Sequence, residues 1–334
     1  MVDETDSLDV NHKPKNFFLD LVISGPDMSG TSTQIGDLIS YFRAQGKIVR
    51  DLRGTEEDAL FHAEKFNNYN YSHFSLTDFL NDGQVSLAER KDYLFEARKF
   101  LGPDKMLIPS MCKNEVSTYI NPDLADVWIM EEPTKRGAGM VNRTIELHRS
   151  KYDHYRSPET AAHTHHIYRI GELLRFRKPL RDQGKLIIRS RSEESACYQV
   201  YHPKDYADGM SLKLFHELEG NQLAFANPPT HLFVVCAPDS WTIDEFLALR
   251  KERSQGRLLD DHELDAKYQV LVNERYATSW LEELYKRGCK RPETTPPIIK
   301  RFNIYDSKEE IKSKMIKELE PVLEEYWRSK VVIS

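Results

Sequence analysis

The sequence predicts an α/β protein: a three-layer α/β/α sandwich around a five-stranded, mostly parallel sheet. Three observations carry that expectation. Five short, nearly continuous apolar runs recur along the chain, as burial on both faces of a parallel sheet demands. Helical stretches alternate with them. The first run leads through a glycine-containing turn straight into an amphipathic helix, the opening of a doubly wound fold.

The first strand is expected at Phe17–Ser24, FFLDLVIS, and ends at Gly25-Pro26. The helix after it carries Ile35, Leu38, Ile39 and Phe42 on one face and stops at Gly46, a natural C-cap. The other strands are read at Asp126–Met130, Lys185–Arg189, His231–Cys236 and Arg301–Tyr305. Long helices are read at Pro158–Asp182, Ile243–Arg253 and Leu264–Arg287, the last stopped by Gly288. Ser307 and Glu310 form a capping box for a closing helix through Trp327. The 80 residues between Gly46 and Val127 break the rhythm, because a helix-to-strand link needs only ~2–6. They contain the aromatic, polar text Phe66–Phe74 and a helix opened by Ser86 and Glu89, so residues 55–125 are read as an inserted, mostly helical subdomain. Lys47–Leu52 competes with Asp126–Met130 for the role of second strand. The core then comprises 17–54 and 126–330, after a loose leader at 1–16.

Length and composition bound the function. A chain of 334 residues forms one large domain with an insertion, or two domains. With 40% hydrophobic and 30% charged residues it is globular rather than disordered. A net charge of -6 argues against a dedicated nucleic-acid binder and leaves an anionic small ligand open. The four cysteines are widely spaced and make no CxxC pair, which fits a reducing cytoplasm rather than a disulfide framework or zinc ribbon. No apolar run approaches the ~20 residues that span a bilayer, so no membrane role is expected.

Gly25–Thr33, GPDMSGTST, is the strongest chemical signal. It joins a strand to a helix, where successive amides and the positive helix end offer donors to a phosphate. The consensus GxxxxGK[ST] is met at Gly25, Gly30 and Ser32, but Thr31 stands at the lysine position. From these residues alone, a phosphate loop and an ordinary glycine turn are both open. The trio His163, His165 and His166 lacks a carboxylate or cysteine at ligand spacing and reads as a polar cleft or solvated face rather than a metal site.

Several segments in order resemble the thymidylate kinase family of P-loop nucleotide kinases. GPDMSGTSTQ resembles the family's GxDGxGKSTQ. Glu131–Arg143, EEPTKRGAGMVNR, resembles its REPT…G…IR. Ser157–Lys185 resembles its nucleoside-binding helix, Ser195–Gln199 its SxAYQ, and Arg250–Tyr276 its arginine-bearing lid, placed here at 250–263. The resemblance covers most of Phe17–Gly46 and Asp126–Trp327 but neither the leader nor the insertion.

The resemblance implies a P-loop kinase fold and transfer of the ATP γ-phosphoryl group to dTMP with Mg²⁺. It implies that Gly25, Ser29, Gly30, Thr31, Ser32 and Thr33 hold the donor phosphates, with Ser32 on the metal. Asp27, Arg143, Arg191, Arg253 and Arg257 are its catalytic candidates, and Arg250 a further lid cation. Glu132, Pro133, His165, Arg169, Tyr198 and Gln199 are its acceptor-binding candidates. A homodimer follows by analogy only. The departures are Thr31 for the loop lysine, Met28 for a loop glycine, Glu131 for the arginine of REP, His165 for a stacking phenylalanine, and Arg189-Ser190 for the DR pair, or Arg191 as its arginine after a one-residue slip, with the aspartate missing either way. They leave two alternatives: an impaired nucleotide-binding protein, or a kinase for another nucleoside monophosphate. Lys135, Arg136, Arg189, Arg191 or a lid arginine are candidates to fill the lysine's place.

Overall fold

The computed structural model describes residues 17–53, 122–134, 158–201, 209–238, 241–254 and 261–331. The expected insertion at 55–125 lies almost wholly outside these, as do the leader, Lys135, Arg136, Arg143 and Arg257. The described chain forms six parallel strands in the order β2-β3-β4-β1-β5-β6. They are β1 Leu19–Ser24, β2 Val49–Asp51, β3 Val127–Glu131, β4 Leu186–Ser190, β5 His231–Cys236 and β6 Ile298–Asn303.

The expected five strands become six because both candidates for the second strand are real. Val49–Asp51 pairs in register with Val127–Ile129, at the sheet edge. Three residues surrounded by polar text are too short to stand out as an apolar run.

The helices are α1 Thr31–Ala44, α2 Pro158–Glu172, α3 Lys178–Asp182, α4 Ala196–Gln199, α5 Leu212–Glu217, α6 Glu219–Phe225, α7 Ile243–Ser254, α8 Asp261–Leu264, α9 Ala266–Ala277, α10 Trp280–Gly288 and α11 Lys308–Val331. Two expected single helices are interrupted. Between α2 and α3 the helix widens into a π turn at Leu173–Arg177. Pro179 follows, whose ring crowds the carbonyl four residues back. The expected Leu264–Arg287 helix divides into α9 and α10 with α8 before them. Asp265 caps α9 by accepting from Tyr268 N, and Thr278 turns extended.

Alternation along β1 sorts the layers. Leu19, Leu21 and Ile23 join a core with Ile35, Leu38 and Phe42 of α1, Phe246 of α7 and Leu319 of α11. Val22 faces the other way, toward a core that includes Tyr276 of α9, Leu281 and Leu284 of α10 and Phe225 of α6. Sheet between two helical layers is the expected sandwich.

The second face of the sheet also buries charge. Asp20 on β1 and Arg189 on β4 point to it and meet at 2.8 Å. The π turn delivers Arg177, 2.9 Å from Glu193 and 3.4 Å from Asp20. Arg181 approaches Asp20 at 3.8 Å and donates to the Pro228 carbonyl at 3.0 Å. Burial opposes ionisation of Glu193, but Arg177 and Arg189 hold its carboxyl down at about 2. Such a cluster adds little net stability when whole and is costly when broken. Asp20→Ala is therefore expected to lower stability by about 3–5 kcal/mol, because it leaves buried guanidinium groups uncompensated. Urea unfolding measures this; a change near zero would mean the arginines find other partners.

Candidate functional site

The turn from β1 to α1 takes its shape from close approach and two left-handed residues. A side chain at Gly25 would meet the Val235 carbonyl oxygen at 2.2 Å, so β5 leaves room only for glycine. Met28 has φ 67° and Gly30 φ 80°. For methionine that conformation costs on the order of 1–2 kcal/mol. Two contacts hold it. The Met28 side chain is buried in the core beneath α1, and Arg253 Nη1 donates to the Met28 carbonyl at 2.6 Å.

Ser29 N donates to the Pro26 carbonyl at 3.1 Å, and Gln34 N opens the helix by donating to the Gly30 carbonyl at 3.1 Å. Gly30 caps α1 with no side chain. Ahead of that first helical bond, Thr31 is half-exposed, and Ser32 and Thr33 are exposed. The start of α1 thus faces solvent with its amides directed out of the turn.

Arg253 sits at the end of α7 and bridges two carbonyls, that of Met28 and that of Ile304 at 2.7 Å. Its Nη1 lies 4.0 Å from where a side chain on Gly30 would begin. Arg250, on the same helix, is used elsewhere: it donates to the Glu263 and Leu264 carbonyls at 3.1 Å and ends α8. Arg189, a candidate for the vacated lysine place, is committed to Asp20.

Asp27 projects from the turn into a second group of side chains. Its amide donates to Gln269 Oε1 at 3.0 Å, and Gln269 Nε2 donates back to its carboxylate at 2.7 Å. Arg191 Nη2 donates to the other Asp27 oxygen. Arg191 is itself left-handed, φ 65°, with its guanidinium 4.7 Å over the Tyr198 ring. The Tyr198 hydroxyl donates to the Gly25 carbonyl at 3.4 Å, which closes the circuit back to the turn. Asp27, Arg191, Tyr198 and the turn are therefore brought together.

Glu132, His165 and Arg169 form a separate group at the carboxyl end of β3. Arg169 Nε donates to Glu132 Oε1 at 2.8 Å, Nη2 to the same oxygen at 2.5 Å, and Nη1 to Asn221 Oδ1 at 2.5 Å. Its Nη2 also reaches the Ser192 carbonyl at 3.3 Å. Arg169 is 2% exposed. The ion pair is buried, and burial is offset by Glu132, which raises the arginine pKa. His165 Nδ1 stands 3.8 Å from Glu132. Pro133 is half-buried and Thr134 buried. Gln199 is buried, with Oε1 unpartnered among the described residues.

Arg275 fixes the helix that carries Tyr198 and Gln199. It donates to the carbonyls of Cys197 at 3.2 Å, Val200 at 2.6 Å and Tyr201 at 2.7 Å, and it stacks 4.6 Å over Trp280. It thereby satisfies carbonyls that the one-turn helix α4 leaves without a helical partner. Nothing in the sequence singles out Gln269, Asn221 or Arg275. They lie on helices whose spacing signals only a buried face, and nothing local distinguishes them.

Among the described residues no group of three or more His, Cys, Asp and Glu side chains could hold a metal ion. No described helix is long and apolar enough to cross a membrane. No family model matches the chain, and no curated protein matches it. Among solved structures, thymidylate kinase from Ehrlichia chaffeensis is similar at 12% identity and a TM-score of 0.42, over 91% of this chain and 99% of that one. A likeness that loose assigns neither substrate nor chemistry.

Proposed function

We propose that this chain is a nucleoside monophosphate kinase of thymidylate-kinase type, which moves the γ-phosphoryl group of ATP to dTMP. One observation carries the reading: a lid-side cation, Arg253, reaches the glycine turn that lacks its lysine. Phosphoryl transfer requires positioned positive charge and in-line geometry rather than one particular ammonium group.

In this reading the amides from Ser29 to Ser32 and the start of α1 receive the donor phosphates. Gly25 and Gly30 keep the backbone clear of side chains there. Arg253 exchanges a neutral carbonyl for the phosphoryl oxygens and neutralises charge as it develops. Arg191, held at the turn by Asp27, is the second cation. The exposed Ser32 hydroxyl fits a magnesium ligand, and the ion would arrive with the nucleotide. Bound Mg²⁺ would shield the donor's negative charge. Arg143 and Arg257 keep their proposed roles on the acceptor phosphate and the lid. Arg169 and His165 would line the acceptor pocket, with Tyr198 and Gln199 beside the sugar.

A second reading is supported by one feature. Every nitrogen of Arg169 is engaged by Glu132, Asn221 or Ser192, and Asp27 is held from both sides. A pocket already satisfied by its own side chains suits a protein that binds nucleotide without transfer, or one whose acceptor differs from dTMP.

A coupled ADP-release assay over dTMP, dUMP, UMP, CMP, AMP and GMP separates these. Turnover with dTMP is expected. Turnover with a different acceptor replaces the substrate assignment, and saturable ATP binding with no turnover supports the second reading. Arg253→Ala is expected to lower kcat/KM by about 100-fold or more, with the fold intact by circular dichroism. An unchanged rate would remove Arg253 from the site. Arg169→Ala leaves a buried carboxylate at Glu132, so a stability loss of about 3–5 kcal/mol is expected beside any loss of acceptor binding. A melting temperature equal to that of the wild type would refute the buried pairing.

A further inference from the structure

Glu194 lies in the turn after β4, is 0% exposed, and has no part in the roles assigned above. Its Oε1 accepts from Ser192 N at 2.9 Å. Its Oε2 is buried with no hydrogen-bond partner among the described residues. The carboxyl interacts with the hydroxyl of Ser24, which is the last residue of β1 and directly precedes Gly25. Ser24 Oγ in turn lies 3.0 Å from the Tyr276 hydroxyl. Glu194 is thus set behind the glycine turn.

The neighbouring cations are committed to other carboxylates: Arg177 to Glu193, Arg189 to Asp20, Arg169 to Glu132 and Arg191 to Asp27. Across the packed elements, Glu132 and Glu193 face Glu194 as like charges and Arg169 as a cation. Cys197, Tyr276 and Tyr285 complete its surroundings. A carboxyl in such a place keeps its proton, and the proton has room on Oε2.

We propose that Glu194 is a proton-binding member of this cleft: its neutral carboxyl admits a phosphate anion to the turn, and its ionised form opposes one. The inference rests on the phosphate-loop reading above. Burial, with Glu132 and Glu193 adding to it, pushes the Glu194 pKa up to about 7 against the opposing influence of the Ser24 hydroxyl. Below that pH the site carries no extra charge. Above it, a carboxylate appears behind the turn where water cannot screen it. Phosphate affinity therefore falls as pH rises through about 7, and bound phosphate tightens the hold on the proton by the same factor. The native state is affected with the same sign. Its carboxyl binds a proton more tightly than the unfolded chain, so this group's contribution to stability is complete below 4.5 and lost as pH rises through about 7.

The test is calorimetric titration of the full chain with inorganic tripolyphosphate between pH 5.5 and 8.5, for the wild type and for Glu194→Gln, which is isosteric and neutral. Comparison of the two removes the titration of tripolyphosphate itself. The wild type is expected to lose about tenfold more affinity than the variant across that range, the effect of one unit of differential proton affinity. Parallel profiles for two proteins that both bind would overturn the proposal and leave the phosphate reading intact. No binding by either at any pH would overturn the phosphate reading and the linkage together. Carbon-13 carboxyl resonances of glutamate-labelled protein give a readout independent of ligand. The signal absent from the variant should titrate near 7 in the wild type, and a midpoint near 4.5 would also overturn the proposal.

Discussion

The turn that follows β4 has to satisfy charge arriving from three sides, and the rest of the structure is arranged around it. The Ser192 hydroxyl accepts from Arg189 and donates to Glu193, its carbonyl accepts from Arg169, and its amide donates to Glu194. The buried cluster under the sheet, the Glu132 pair and the Asp27 pair are thereby linked through one short backbone segment. Left-handed Arg191 lies within it, its amide donating to the Ile23 carbonyl at 3.1 Å. That conformation is unfavourable for arginine and persists because the contacts on both sides determine it.

The glycine turn shows the same logic. Met28 adopts a conformation suited to glycine because its side chain is drawn into the core and Arg253 holds its carbonyl. Arg253 and Arg191 are cations beside the turn, and both reach it from elements distant in sequence. The turn therefore has positive charge near it, delivered through side chains that also hold the local backbone. Whether those side chains exchange partners when a nucleotide arrives is the physical difference between the two functional readings.

Fold and function separate in this protein. Parallel strands with helices on both faces host many chemistries, and loose overlap with a solved kinase adds nothing about this chain's substrate. What distinguishes the chain is chemical: a buried arginine paired with Glu132 and Asn221, a loop aspartate clamped by glutamine and arginine, and an acid behind the turn with no paired cation among the described residues. Each of these concerns how ionisable groups are distributed in a low-dielectric interior, where one unpaired charge outweighs many apolar contacts.

The sequence by itself determined the layer architecture, the β1–turn–α1 unit and the core strands β1, β3, β4 and β5, because burial on both faces leaves continuous apolar text that can be read locally; the exposed edge strand β6 lies at Ile298–Asn303 rather than at Arg301–Tyr305. The sequence also marked Asp27, Arg191 and Tyr198, which the fold does bring together. The tertiary structure alone decided the rest. The edge strand β2 is too short for a periodic signal. The break between α9 and α10 comes where Thr278 turns extended, while Asp265 caps the start of α9. The pairing of Arg169 with Glu132 and Asn221 joins residues 37 and 52 positions apart. Pairings of this kind have no sequence signature, since any arginine and any carboxylate can pair; which ones do is set by the sheet order and by the depth at which each is buried.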